Sequence, residues 1–188
     1  MLADDRGDFR RLCRDQIDNF LAVGPDMGTF LYICARAVRA TRIVEFGTSF
    51  GISSIYLASA LKDNGGGRLV GTELESSKAV RAVENLAAAG LSDYAEIRVG
   101  DARETLRDGV GGPIDLVLLD GAYHLYLPVL RLLEPHLGDR ALIVADNAQD
   151  LDGAYLGYVD DPSNGYLTLP LPFQPDRGNH LALFLGAR

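Results

Sequence analysis

Val44-Glu45-Phe46-Gly47-Thr48-Ser49-Phe50-Gly51 joins a short β-rich run, residues 43–46, to a helical one, residues 52–61, through two glycines four positions apart. A strand that feeds a helix across a tight glycine turn opens a parallel α/β sheet, because a parallel partner strand is reached only through a crossover. The rest of the chain repeats that rhythm. Asn64 and the triple glycine at 65–67 end the first helix, and residues 69–72 read as a second strand. Residues 78–89 form a helix closed by Gly90, with Ala79, Val80, Val83, Leu86 and Ala87 on one face. A third strand at 95–99 and a short helix near 102–106 follow. Residues 114–119 are nearly all apolar, as expected of a strand covered on both faces. Pro128 suits a first helical turn, so the next helix starts near Tyr126 or Leu127. A fifth strand spans 141–145.

The tail breaks the rhythm. Two strand-like runs, 166–171 and 180–185, are separated by a Pro-, Asp- and Gly-containing loop with no room for a helix. They should pair as an antiparallel hairpin. The expected fold is α/β: one doubly wound, Rossmann-like sheet of about seven strands, mostly parallel, with a C-terminal antiparallel hairpin. Two amphipathic helices precede it, one carrying Phe9, Leu12, Cys13, Gln16, Ile17 and Phe20, the other Phe30, Ile33, Cys34, Ala37 and Val38. Gly24-Pro25 separates them and Asp26 can cap the second. Residues 1–40 are thus expected to pack on a ligand-binding unit of 41–188, within one structural domain.

Bulk composition narrows the function. A length of 188 residues favours one domain. The net charge of −8 argues against a nucleic-acid partner, since such binders carry basic stripes. No apolar run approaches the ~20 residues that span a bilayer, and the charged N-terminus lacks a signal-type stretch. Cys13 and Cys34 fall on apolar stripes and read as buried thiols of a reducing compartment, so a cytoplasmic location is expected.

The chemistry gathers at strand ends. The second strand ends in Thr72-Glu73, the third in Gly100-Asp101, the fourth at Asp120 and the fifth at Asp146-Asn147. Carboxyl ends of parallel strands share the edge where open α/β sheets bind ligands. The first turn is not the G-x-G-x-x-G of dinucleotide binders. A carboxylate at Glu73 is placed to accept from ribose hydroxyls, and one at Asp101 from an adenine amino group. Asp120, Asp146 and Asn147 together make a hard, oxygen-rich set suited to Mg²⁺, with Mn²⁺ or Ca²⁺ as alternatives. Turn chemistry after a strand is the competing reading of Asp146-Asn147.

Residues 44–51, Leu118-Leu119-Asp120-Gly121-Ala122 and Val144-Ala145-Asp146-Asn147 together resemble the catechol and caffeoyl-CoA O-methyltransferase family, a class I methyltransferase family. The resemblance runs from about Asp26 to the C-terminus. It implies S-adenosylmethionine as cofactor, with contacts from Glu45, Gly47, Ser49, Ser53, Glu73, Asp101 and Asp120. The turn suits that ligand: Gly47 lets it lie against backbone, the helix start at 51–53 can donate to its carboxylate, and Glu45 can answer its positive groups. The resemblance also implies that Asp120, Asp146 and Asn147 hold a divalent cation chelating two adjacent oxygens of a small-molecule acceptor, a catechol-like phenol. It favours a homodimer.

One position departs from the family. Where the family carries a general-base lysine, three residues after the first metal aspartate, this chain has Tyr123. An ordinary tyrosine, titrating near ~10, is a poor base at neutral pH. His124 follows, and histidine as a residue type suits proton transfer near neutral pH, which makes it a candidate base beside Asp120. The alternatives are a metal-independent methyltransferase with Asp120 as direct base, and a protein that binds the cofactor without turnover. A NAD-dependent oxidoreductase is disfavoured by the glycine spacing and the terminal hairpin. Residues 151–165 are the expected lid, with Tyr155, Tyr158 and Tyr166 either lining an acceptor or packing on the domain.

Overall fold

The computed structural model describes residues 23–148, 153–173 and 178–186. The expected helix around Phe9 to Phe20, with Cys13, lies outside them. The described elements are α1 (Pro25–Ala37), β1 (Arg42–Phe46), α2 (Ile52–Asp63), β2 (Arg68–Glu73), α3 (Ser76–Ala88), β3 (Ala95–Val99) and α4 (Ala102–Thr105). After them come β4 (Ile114–Leu119), α5 (Tyr126–Leu133), β5 (Leu137–Ala145), α6 (Ala154–Val159), β6 (Tyr166–Pro170) and β7 (His180–Phe184).

The seven strands form one sheet in the order β3-β2-β1-β4-β5-β7-β6. β1 to β5 are parallel, and β7 runs antiparallel between β5 and β6, so the doubly wound sheet and its terminal hairpin are as expected. The winding reverses between β1 and β4, whose starts are pinned together. Asp115 Oδ2 accepts from the backbone amides of Thr41 at 2.7 Å and Arg42 at 3.0 Å. Strand β4 supplies both sides of the core. Val117 and Leu119 join one buried cluster with Phe46, Tyr126 and Leu130, while Leu116 and Leu118 join another with Leu31, Leu57 and Leu61. A strand covered on both faces needs apolar residues at nearly every position, which explains the run 116–119; only Asp115, near the strand's start, breaks it.

Several local expectations are corrected. The buried face of α1 is Met27, Gly28, Leu31, Cys34 and Ala35, while Ile33 is 56% exposed. Gly28 lies there because a Cβ would meet the Tyr56 ring at 2.4 Å. Gly24, not Asp26, occupies the N-cap of α1; Asp26 sits in the first turn and no side chain caps it. On α3 the buried residues are Lys78, Ala79, Ala82 and Leu86, leaving Val80 57% and Val83 52% exposed. The reason is close approach: a Cβ on Gly51 would stand 3.1 Å from that of Ala82, so the alanine stripe faces inward. Strand β5 begins at Leu137 rather than at 141, through a register irregularity near Ile114 and a positive φ of 66° at Arg140. At the sheet edge, β6 ends on Pro170, a residue that sheets admit on edge strands. No helix among the described residues is long and apolar enough to cross a membrane.

Candidate active site

The glycine turn is built around a buried carboxylate. Glu45, on β1, is completely enclosed. It accepts from Thr48 Oγ1 at 2.9 Å and from Ser53 Oγ at 2.5 Å, and Ser54 Oγ donates to it as well. Burial pushes its carboxyl above the usual range, the three hydroxyls pull the other way, and the charge of Glu73 adds to the rise. The same cage explains a glycine within a strand: a Cβ on Gly71 of β2 would stand 2.4 Å from Thr48 Oγ1. Glu45 therefore lies beneath the turn, tying its middle to the first turn of α2.

Above this cage is a cleft lined by Val23, Gly47, Ser49, Phe50, Ser53 and Asp120. Gly47 has φ +96°, and a Cβ there would meet Asp120 O at 2.4 Å, so glycine is required by the neighbouring strand end. Ser49 holds a left-handed φ of 50°, and its buried Oγ has no hydrogen-bond partner. Gly51 caps α2 with backbone alone, and no side chain accepts from the first amides of that helix. An orphan hydroxyl beside an uncapped helix start is a donor set that fits a carboxylate-bearing ligand.

The acids of β2 and β3 differ. Glu73 accepts from Ser49 N at 2.7 Å through Oε2 and from Glu75 N at 2.9 Å through Oε1, and so bends over the turn it helps hold. Asp101 is the N-cap of α4, accepting from Arg103 N at 3.0 Å, and it also pairs with the Arg103 guanidinium at 2.6 Å. Both its oxygens are engaged within this local motif.

Asp120 and Asp146 are brought together. They follow the paired residues Leu119 and Ala145 on adjacent strands, and Asp146 N donates to Leu119 O at 2.9 Å. Neighbouring strands run about 4.8 Å apart, so the two residues stand side by side. Tyr126 reports both charges. Its phenol is raised well above its ordinary value by burial, then by Asp120, then by Asp146. Asn147 follows with a left-handed φ of 56°. No group of three His, Cys, Asp or Glu residues gathers among the described residues. The candidate set is thus two carboxylates completed by an amide oxygen, chemistry that fits a hard divalent cation.

Tyr123 and His124 sit together in a short 3-10 turn after β4, both exposed, with ring centroids 6.0 Å apart. The tyrosines of the expected lid pack on the domain instead. Tyr155 is buried edge-on against Tyr126, and the hydroxyls of Tyr158 and Tyr166 share Glu134 Oε1 at 2.9 and 2.7 Å. Residues 153–165 are folded, while 149–152 lie outside the described residues. Sequence reading missed Thr48, Ser54, Tyr126 and Asn179 as builders of the site. A glycine inside a strand, Gly71, was the one visible signal of the cage.

A sequence model for a methyltransferase domain matches residues 44–148. A catechol O-methyltransferase of Niastella koreensis is 37% identical over 134 residues, covering 68% of this chain and 58% of that protein. One from Mycobacterium tuberculosis is 41% identical over 100 residues, covering 53% and 44%. The chain spans about half the length of the curated relatives it matches. Among solved structures, the O-methyltransferase TomG of Streptomyces achromogenes, involved in tomaymycin synthesis and crystallised in complex with SAM, superposes with a TM-score of 0.79. It is 28% identical, covering 97% of this chain and 91% of its own.

Proposed function

The chain belongs to the methyltransferase domain family, and from that membership we propose that it is an S-adenosylmethionine-dependent O-methyltransferase whose acceptor is a small catechol-like molecule with adjacent oxygens. The observation that carries this reading is the side-by-side placement of Asp146 and Asp120, the latter lining the glycine-turn cleft. Gly47 and Ser49 offer the cofactor a surface of backbone and one unengaged hydroxyl. The open start of α2 would donate to the cofactor's carboxylate, and Glu73, at the end of β2, would accept from its ribose hydroxyls. Glu45 acts from below, holding the turn in shape.

Asp120, Asp146 and Asn147 would hold a divalent cation, Mg²⁺ in the first instance. When bound, such a cation lowers the pKa of a coordinated hydroxyl and fixes its direction. Asp120 belongs to both halves of the site, since it lines the cofactor cleft and stands beside Asp146. That shared position would hold the acceptor beside the cofactor, and orienting two reactants in this way is worth up to ~7–11 kcal/mol. His124, exposed beside Tyr123 in the turn after β4, would take the acceptor's proton and release it to water.

Calorimetric titration with S-adenosylmethionine, with and without Mg²⁺ and catechol, tests the reading. Cofactor binding is expected under both conditions, catechol binding only with Mg²⁺, and an O-methylated product on incubation. Cofactor binding with no product across a panel of diols would leave a binding protein. No cofactor binding would overturn the proposal.

A further inference from the structure

The peptide unit between Asp146 and Asn147 is gripped from two sides. Its carbonyl, Asp146 O, accepts from the buried hydroxyl of Tyr126 on α5 at 2.5 Å. Its amide, Asn147 N, donates to Asn179 Oδ1, from the residue before β7, at 3.0 Å. Asn179 is itself buried and fixed, since its own carbonyl accepts from Leu171 N at 2.8 Å. The peptides on either side are held as well: Asp146 N donates to Leu119 O at 2.9 Å, and Ala148 N to Gly178 O at 3.1 Å. Both planes flanking Asn147 are thereby set, which fixes its φ and ψ and so the direction of its Cα–Cβ bond. The conformation held is left-handed, φ 56°, one that asparagine tolerates better than most residues but does not prefer.

We propose that Tyr126 and Asn179 are positioning residues that clamp the Asp146–Asn147 peptide and thereby aim the two side chains at one cation. The inference rests on the cation site proposed above. Neither residue touches the cation; each acts through the backbone of its ligands, as the groups behind metal ligands commonly do. The clamp also explains why the C-terminal hairpin is inserted beside β5: β7 delivers Gly178 and Asn179 to the corner that follows it.

The test is Mn²⁺ alone titrated into the full chain, with the free ion followed by electron paramagnetic resonance. Tyr126→Phe keeps the ring that packs on Phe46 and Tyr155 and removes only the hydroxyl. Asn179→Ala removes the acceptor, and Asn179→Asp restores one. Tyr126→Phe and Asn179→Ala should each weaken Mn²⁺ binding about 10-fold, while Asn179→Asp binds at least as well as wild type. Should Asn179→Ala fail to fold, Tyr126→Phe carries the comparison. Wild-type Mn²⁺ affinity in both Tyr126→Phe and Asn179→Ala would overturn the clamp and leave the cation site standing. A wild-type chain that binds S-adenosylmethionine but no Mn²⁺ would overturn the cation site, and the clamp with it.

Discussion

Gly47 and Asp120 meet backbone to backbone: a Cβ on Gly47 would lie 2.4 Å from Asp120 O and 2.6 Å from Asp120 C. Just before them, Asp120 N donates to Phe46 O at 2.8 Å. The first residue of the glycine turn thus rests on the residue proposed to hold the cation.

Gly47→Ala should therefore damage both ligand sites together. The added methyl is strained by φ +96° and must displace the end of β4, not a flexible side chain. S-adenosylmethionine and Mn²⁺ affinities are expected to fall in parallel, each by about 10-fold or more. Calorimetry on one preparation checks this, and loss of one affinity with the other intact would contradict the coupling.

Glu45 should matter more for stability than its distance from the cleft suggests. Glu45→Ala leaves three hydroxyls without their acceptor, at about 1 kcal/mol each. A loss of about 3 kcal/mol is expected by urea denaturation, with weaker cofactor binding. Glu45→Gln keeps an oxygen and the shape, and should lose less than half as much.

Tyr123 stands where the resembled family carries a lysine, and it is 44% exposed. Tyr123→Lys should raise turnover of catechol at neutral pH by about 100-fold, the lower end of what a positioned base supplies. Product formation followed by chromatography decides it. Unchanged turnover would mean that the proton leaves without help from this position.

His180 makes stability sensitive to acid. Burial holds its imidazole below the ordinary histidine range, and Asp160 Oδ1, 3.6 Å away, opposes that shift. The unfolded chain consequently takes up its proton before the folded one as pH falls. The contribution of the neutral ring is complete above the unfolded value near ~6.5 and is lost as pH falls below it. His180→Gln should flatten the drop in urea midpoint between about pH 7 and about pH 5. The same slope in both proteins would place the acid sensitivity elsewhere.

The sheet was legible because its signals are local. Glycines close turns, a nearly continuous apolar run marks β4, and a loop too short for a helix forces the final hairpin. The adjacency of Asp120 and Asp146 was legible for the same reason, since each directly follows one of two parallel strands. The face of α3 was not, because two apolar stripes share that helix and only the approach of Gly51 to Ala82 chooses between them. Glu45 shows the limit at the site itself. An acid before a glycine turn suits a ligand contact in sequence, yet three hydroxyls, two of them a full helical turn or more away, enclose it. The Tyr126 and Asn179 bonds to the Asp146–Asn147 peptide leave no local mark at all, since each joins segments far apart in the chain.

The neighbouring position of β1 and β4 has a kinetic side. Thr41 and Asp115, bonded at the starts of these strands, are 74 positions apart. Closing so long a segment costs entropy that local contacts do not return, so this pairing belongs among the slower events of folding. Until it happens, Gly47 has no Asp120 backbone to rest on. A nascent chain that stops short of β4 contains the whole glycine turn in its sequence and lacks the surface that gives the turn its shape.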